Sequence, residues 1–186
     1  MAKRATVRRS RDYIVWVDCE MTGLDPSRHV ILEIATIITD FDLKIVARGP
    51  ELAIRQSAAR MRAMDPWPRR VHKASGLLDR VARAGVTLAE AEAETLRFVR
   101  KHCYAGTAPL CGNSVWQDKR FLTKYMPAFQ DFLHYRIVDV STVKQLVSHW
   151  CPDRQYETVK TETHRALADI EESIAELAAY KAIFAK

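Results

Sequence analysis

The stretch Tyr13-Ile-Val-Trp-Val-Asp18-Cys19-Glu20-Met-Thr-Gly23 decides the fold, because an apolar run ends in two carboxylates one residue apart. Side chains two positions apart in a β-strand share a face, so Asp18 and Glu20 are expected to project together from the strand's end. Carboxylates held this close repel each other unless a cation lies between them. Oxygen ligands favour a hard ion such as Mg²⁺ or Mn²⁺, so the pair predicts half of a metal site.

Length and cysteine content limit the classes of protein to which the chain can belong. The 186 residues fit one domain with a hydrophobic core, which we expect over residues 13–186. The longest apolar runs are too short to span a bilayer, and the segment before Tyr13 does not match a secretory leader. The four cysteines form no Cys-x-x-Cys pair, so neither a zinc knuckle nor a disulfide framework is indicated. We expect a soluble protein of the reducing cytoplasm, without a membrane partner.

Basic residues are concentrated at the start of the chain. Residues 1–12 carry +4 of the formal net charge of +6, which leaves about +2 for the body. A protein that grips long duplexes through many phosphates needs a larger basic surface, so the charge favours a short ligand. Residues 1–12 are expected to form a flexible tail; a solubilising leader is the simpler interpretation, and a binding arm is the alternative.

Periodicity and chain breakers predict a mixed α/β domain: three antiparallel strands, then two further strands, in one five-stranded sheet flanked by helices. The predicted strands are 13–18, 30–39, 43–48, 108–111 and 136–140, and the predicted helices are 57–64, 87–103, 114–125, 141–150 and 166–184. A loop is expected at Asp65-Pro66-Trp67-Pro68, because two prolines cannot continue a helix. Ser114-x-x-Gln117 matches a capping box.

Further acids could complete the metal site. Asp118 lies in the first turn of a predicted helix just after a strand, although an acid there could merely complement the helix dipole. His164 and Asp169 are five residues apart, about 140° around an ideal helix. They can serve one site only if His164 lies before or at the start of the last helix, on a mobile loop. A surface or capping histidine is the simpler interpretation of His164 alone.

Seven stretches of the sequence together resemble a known family, although no single residue in them is specific enough to show this. They are Trp16-Val-Asp-Cys-Glu-Met-Thr-Gly-Leu-Asp25, Ala74-Ser-Gly-Leu77, Cys111-Gly-Asn-Ser114, Lys124-Tyr-Met-Pro127, His134-Tyr-Arg136, Val138-Asp-Val-Ser-Thr142 and Thr163-His-Arg-Ala-Leu-Ala-Asp-Ile170. Together with the order of the acids, they resemble the DEDDh 3′-to-5′ exonucleases of the ribonuclease H-like superfamily, and more closely the oligoribonucleases. The resemblance covers roughly residues 13–184.

The resemblance implies a ribonuclease H-like sheet and a 3′-to-5′ exoribonuclease that releases nucleoside 5′-monophosphates. It implies four carboxylates that hold two Mg²⁺ or Mn²⁺ ions about 4 Å apart, and His164 as the general base. The four carboxylates are Asp18, Glu20, Asp118 and Asp169.

The resemblance also implies a short RNA substrate, chiefly a 5′-phosphorylated dinucleotide, with pGpG as one candidate. Leu24 would separate two bases, Trp67 would stack on one, and His72 would lie beside the site. A 5′ phosphate would be capped by Ser114, Arg136, Ser141 and Thr142. Tyr135 and Arg136 would reach the site from the neighbouring subunit of a homodimer. Without the resemblance, Leu24 reads as a turn residue, Trp67 as a loop anchor and Tyr135 as ordinary packing.

Two alternatives stay open at this point. One is a proofreading or RNA-trimming exonuclease of the same superfamily that acts on longer strands. The other is a catalytically silent nucleic-acid-binding module, which predicts a broken set of acids; none of the four positions is broken here. Trp116 is bulkier than the family pattern expects, two residues before Asp118.

Overall fold

Five strands form one mixed sheet in the computed structural model, which describes residues 9–154 and 165–184. They are β1 (Tyr13–Met21), β2 (Ile31–Asp40), β3 (Ile45–Ala53), β4 (Pro109–Gly112) and β5 (His134–Asp139). The strand order is β3-β2-β1-β4-β5. The first three strands pair antiparallel, and β4 and β5 continue the sheet in parallel. This confirms the predicted arrangement of three antiparallel strands followed by two more.

Helices cover both faces of this sheet. They are α1 (Ala58–Arg62), α2 (Pro66–Ala74), α3 (Leu77–Arg83), α4 (Leu88–His102), α5 (Val115–Tyr125), α6 (Pro127–Phe132), α7 (Val140–Trp150) and α8 (Ala166–Phe184), with a 3₁₀ turn at Pro152–Arg154. Within the described ranges, no helix is both long and apolar enough to cross a membrane. The cysteines are free thiols, of which Cys19, Cys103 and Cys111 are buried and Cys151 is partly exposed.

The alternation of β1 assigns its side chains to two separate cores. Val15 and Val17 pack with residues of α4, α5 and α6, whereas Trp16 packs with residues of α7 and α8. Because side chains alternate along a strand, Asp18 and Glu20 continue the face that carries Trp16. That face is covered by α8, and this places the two carboxylates beneath the helix that contains Asp169.

The predicted loop at Asp65-Pro66-Trp67-Pro68 is wrong. Helix α2 begins at Pro66, with Asp65 as its N-cap residue. The first N–H groups of a helix have no intrahelical acceptor, so proline in the first turn costs no hydrogen bond. The same rule applies to Pro127, which starts α6 after α5 has ended at Tyr125. The prolines therefore mark helix starts.

The predicted capping box at the start of α5 is also wrong. Ser114 has a left-handed backbone (φ 50°), and its side chain makes no cap hydrogen bond. Its hydroxyl lies 3.1 Å from the Ser141 hydroxyl instead. The Gln117 side chain donates to the carbonyl of Leu24 (2.5 Å). A capping box does form at α4, where Thr87 and Glu90 exchange hydrogen bonds.

The remaining differences concern the lengths of strands and two helices that the sequence does not predict. Strand β1 runs on to Met21 and β3 to Ala53, and the helices outside the prediction are α3 and α6. Of the predicted tail, residues 1–8 lie outside the described residues. Ser10 donates its backbone N–H to the carbonyl of His102 (2.8 Å), so the chain is attached to the end of α4 shortly before β1.

Candidate active site

Three carboxylates meet where β1 passes beneath α8. Asp18 and Glu20 project from one face of β1, and Asp169 projects from the first turn of α8. One oxygen of each lies within 4.8 Å of the others. The period-two prediction for Asp18 and Glu20 is confirmed, and the structure adds Asp169 to them. We call these three residues the acidic cluster.

Asp118 adjoins the acidic cluster from the other side of β1. Its side chain is buried, and its Oδ1 accepts the backbone N–H of Cys19, which lies between the two acids of β1 (2.9 Å). Burial raises the pKa of Asp118 to about 7, although this hydrogen bond opposes the shift. The first turn of α5 is therefore fixed directly to the strand that carries Asp18 and Glu20.

The electrostatics of the cluster favour a bound cation. Burial, and then the charges of Asp118, Glu20 and Asp169, raise the pKa of Asp18 well above its ordinary value. Burial and the charges of Asp169 and Glu33 raise the pKa of Glu20 to about 8. A divalent cation would offset this repulsion, and an all-oxygen donor set suits Mg²⁺ or Mn²⁺. The residues present therefore fit the predicted ions.

A buried ion pair lies behind Glu20. Glu33 is opposite Glu20 in the register of β1 and β2, and it is fully buried. Its carboxylate forms an ion pair with the guanidinium of Arg80, which also lies 3.6 Å from the Glu51 carboxylate. The charge of Arg80 lowers the pKa of Glu20 against the other influences. Arg80 belongs to the missed helix α3, and the sequence alone offers no signal that it reaches Glu33.

An apolar cavity of about 580 Å³ opens next to Glu20. Leu24 and Trp67 line it with largely exposed side chains, and the buried His72 lines it as well. His72 donates from Nε2 to the carbonyl of Met21 (2.9 Å), and its Nδ1 lies 3.7 Å from Glu20 Oε2. The structure thus brings together three of the predicted substrate-binding residues.

Gly23 allows the loop with Leu24 to lie close to α2. A Cβ on Gly23 would be 2.4 Å from Cε1 of His29 and 2.6 Å from Oδ2 of Asp65, which is too close for any other residue. His29 and Asp65 also pair with each other (3.5 Å). The backbone N–H of Asp65 donates to the carbonyl of Thr22 (2.9 Å). These contacts hold Leu24 and Trp67 on the same cavity.

A second polar group lies where β4 and β5 end. The backbone N–H of Ser114 donates to Asp139 Oδ1 (3.0 Å) and to the Ser141 hydroxyl (2.9 Å). Asp139 Oδ1 also accepts the backbone N–H of Ser141 (3.0 Å), so it caps α7. The Ser141 hydroxyl donates to Oδ1 of Asn113 (3.0 Å). We call Asn113, Ser114, Asp139 and Ser141 the serine cluster.

The other predicted residues have different surroundings. Thr142 is exposed in the first turn of α7. Tyr135 and Arg136 are exposed on the edge strand β5, with the guanidinium 5.1 Å from the tyrosine ring. The Tyr135 ring stacks on His134 at 4.6 Å. His164 lies outside the described residues.

Comparison with known proteins identifies relatives of the chain. Residues 15–177 match the family model RNase_T, described as Exonuclease. The oligoribonuclease of Shewanella amazonensis is 52% identical over 168 residues, which cover 90% of this chain and 93% of that protein. The oligoribonuclease of Escherichia coli is 49% identical over 173 residues, covering 93% and 96%.

Solved structures with the same fold are more distant. Exonuclease I from Methylocaldum szegediense superposes with a TM-score of 0.68 at 17% identity, over 93% of this chain and 43% of that one. The zinc-bound complex of Escherichia coli Exonuclease I with single-stranded DNA gives a TM-score of 0.72 at 14% identity, over 96% and 42%. The chain thus spans less than half the length of these exonucleases, and the likeness confirms the predicted ribonuclease H-like fold.

Proposed function

The chain belongs to the oligoribonuclease family of metal-dependent exonucleases, and on that basis we propose that it hydrolyses short RNA from the 3′ end. The products are nucleoside 5′-monophosphates, and the chief substrates are 5′-phosphorylated dinucleotides. The acidic cluster carries this proposal, because three carboxylate oxygens within 4.8 Å of one another lie beside an apolar cavity that can take a base.

Asp18, Glu20 and Asp169 would hold two divalent cations, Mg²⁺ or Mn²⁺, together with Asp118. When bound, such ions activate water and stabilise the charge that develops on the leaving oxygen. The support is the all-oxygen donor set and the mutual repulsion of the acids. Asp118 is held in place by the N–H of Cys19, so it has a fixed position next to the cluster.

We assign the role of general base to His164, from the family pattern. The following residue, Arg165, contacts the carboxylate of Glu51 (3.3 Å), and its carbonyl accepts the backbone N–H of Asp169 (3.0 Å). His164 immediately precedes Arg165 in the sequence. In this role its imidazole takes the proton from the attacking water, and a positioned base of this kind contributes about 10²- to 10⁴-fold in rate.

The proposed length of the substrate depends on two parts of the site: the cavity with Leu24 and Trp67, and the serine cluster. Leu24 and Trp67 would hold the bases, because stacking on an aromatic side chain accepts any base. The hydroxyl groups of Ser114 and Ser141 in the serine cluster would cap a 5′ phosphate, together with Thr142 and Arg136. A capped 5′ end leaves room for little more than a dinucleotide, and pGpG is one such substrate.

We further propose a homodimer in the cytoplasm, in which Tyr135 and Arg136 reach the neighbouring site. Both side chains are exposed on an edge strand, where a second subunit can contact them. The four free cysteines agree with a reducing compartment. Light scattering at micromolar protein tests the assembly, and a monomer that still hydrolyses dinucleotides would contradict it.

The function is tested by incubating the protein with a 5′-phosphorylated diribonucleotide and Mg²⁺ or Mn²⁺. We expect mononucleotide release from the wild type, and a loss of at least about 10²-fold in Asp169→Asn, which removes charge without volume. Glu172→Gln, on an adjacent turn of the same helix, is the matched control and should stay active. Activity in the Asp169→Asn variant equal to wild type would refute the acidic cluster as the metal site.

A further inference from the structure

Side chains of α5 donate hydrogen bonds to backbone carbonyls of the loop between β1 and β2, which carries Leu24. Lys124 donates to the carbonyl of Pro26 (2.5 Å). Tyr125 donates to the same carbonyl (3.0 Å) and to that of His29 (2.6 Å). Because one helix supplies the donors for several carbonyls of this loop, the position of α5 determines where the loop lies.

Gln117 binds the backbone of Leu24 itself. Its Nε2 donates to the Leu24 carbonyl (2.5 Å), and its Oε1 accepts from the guanidinium of Arg120 (2.7 Å). Gln117 is buried, and a buried amide is costly to leave without its partners. Arg120 also reaches the Leu24 carbonyl, but it is exposed and its distance of 3.4 Å is long for a hydrogen bond. Of these two donors, Gln117 therefore makes the stronger contact.

The same helix fixes this loop relative to the metal ligands. Successive residues of a helix point about 100° apart, so Gln117 faces the loop while Asp118 faces β1. Asp118 accepts the backbone N–H of Cys19 there (2.9 Å). Two adjacent residues of α5 thus keep the backbone of Leu24 at a constant separation from Asp118.

The side chain of Leu24 projects from this fixed backbone. It is 69% exposed, and it lines the apolar cavity together with Trp67. An apolar side chain left this exposed gives up the free energy of burial, so packing does not explain why two side chains hold its backbone. Precise placement does explain it, because a misplacement of about 1 Å in a group that positions a substrate can cost about 10²-fold in rate.

We propose that Gln117 is a positioning residue that holds Leu24 where it can separate two bases of the substrate. Gln117 acts through the carbonyl of Leu24, and Arg120 orients its amide. This inference rests on the proposed function, in which Leu24 lies between the bases of a dinucleotide. The separation of the bases then depends on a buried hydrogen bond from α5.

The test is a double-variant cycle that measures kcat/KM for a 5′-phosphorylated diribonucleotide with Mg²⁺ or Mn²⁺. Gln117→Met keeps the length of the side chain and removes both polar groups, and we expect it to lower kcat/KM about tenfold. In the Leu24→Ala background the same substitution should cost less than about twofold, because no side chain remains to be positioned. Gln145→Met makes the same substitution at an exposed position of α7 and is the matched control. Equal losses in both backgrounds would overturn the inference, because they would show damage that reaches Asp118 instead.

Arg120→Met is a second variant, at an exposed position of the same helix. It removes one donor to the Leu24 carbonyl and the partner of the Gln117 Oε1. We expect kcat/KM to fall about threefold, and only while Leu24 is present. Wild-type kcat/KM in both Gln117→Met and Arg120→Met would overturn the inference.

Hydrogen exchange separates this inference from the proposed function. The N–H of Asp25 belongs to the same peptide group as the Leu24 carbonyl, and it donates to Nδ1 of His29 (3.2 Å). Exchange of this amide should be at least about threefold faster in Gln117→Met than in wild type, and unchanged in the control variant. Faster exchange supports the positioning role even if the wild type cleaves no dinucleotide, a result that would refute the proposed function. Unchanged exchange would overturn the inference, whether or not the dinucleotide is cleaved.

Discussion

At the scale of the residue, the site follows from the alternation of one strand. Asp18 and Glu20 share a face because they are two positions apart, and this could be predicted from the sequence alone. The approach of Asp169 depends on how α8 crosses the sheet, which no local pattern contains. The bond from Cys19 to Asp118 joins residues 99 positions apart, so only the family pattern could suggest it.

The raised pKa values predict how the metal-free protein responds to pH. Glu20 titrates near pH 8 and Asp118 near pH 7 in the folded chain, against ordinary values of 4.5 and 3.8. The folded state therefore holds protons that the unfolded chain releases, so stability falls as pH rises from about 4 to about 8. In EDTA, the melting temperature should fall by at least about 3 °C between pH 5 and pH 8. A loss of about 1 kcal/mol in the free energy of unfolding lowers the melting temperature of a domain of this size by that amount.

A bound divalent cation should weaken this trend, because it takes the place of the protons. In excess Mn²⁺, the melting temperature is expected to fall less with rising pH than it does in EDTA. The Glu20→Gln variant should lose part of the pH dependence in EDTA, because the group that titrates near pH 8 is gone. A melting temperature in EDTA that rises from pH 5 to pH 8 would show that burial and neighbouring charges do not raise the pKa values of Glu20 and Asp118.

At the scale of the element, periodicity and capping patterns predict the long helices correctly. They fail at α2, at α3 and at Ser114. Helix α4 has a full capping box and could be read directly. Proline breaks a helix at interior positions, so the sequence predicts a loop where α2 begins, although these prolines stand in the first turn of α2. Ser114 resembled a cap, but its hydroxyl contacts Ser141 across the sheet end. Helix α3 has only seven residues and follows Gly76, whose backbone is left-handed, so it gives little periodicity.

Helix α3 is predicted to depend on its ion pair with the sheet. Arg80→Met would leave the carboxylate of Glu33 buried without its cation, and we expect a loss of about 3 kcal/mol, the lower end for broken buried pairs. The lower end applies because 29% of the Arg80 side chain is exposed. Urea denaturation measures the loss. Arg83→Met, at an exposed position of the same helix, is the matched control and should change stability little.

The double variant Arg80→Met with Glu33→Gln isolates the pair. It removes both charges, so it should be more stable than Arg80→Met alone. If Arg80→Met is as stable as Arg83→Met, the pair has no structural role in joining α3 to β2.

At the scale of the whole molecule, the order of the strands in the sheet determines which helices bring their acids to the same strand. Strand β1 lies in the middle of the sheet, so helices from both faces bring acids to it: α8 on one face and α5 from the other. Three antiparallel strands followed by two further strands were predictable from periodicity and segment length, whereas the parallel pairing of β4 and β5 is seen only in the structure. The pairing of Leu24 with Trp67 was implied only by the family resemblance, because it requires the close contact of Gly23 with His29 and Asp65.

The fold as a whole does not determine the length of the substrate. The fold is shared with larger exonucleases, including one whose structure contains single-stranded DNA. The acidic cluster alone therefore does not distinguish an enzyme for dinucleotides from one for long strands. In the proposed function the distinguishing feature is the serine cluster at the ends of β4 and β5, because the 5′ phosphate is proposed to bind there.

The most direct test compares kcat/KM for a 5′-phosphorylated diribonucleotide with kcat/KM for a ten-residue RNA, both with Mg²⁺ or Mn²⁺. The account predicts a preference of at least about tenfold for the dinucleotide, equivalent to about 1.4 kcal/mol. Ser114→Ala with Ser141→Ala should reduce that preference, because the 5′ phosphate loses hydroxyl donors. An equal or higher kcat/KM for the ten-residue RNA in the wild type would contradict the account.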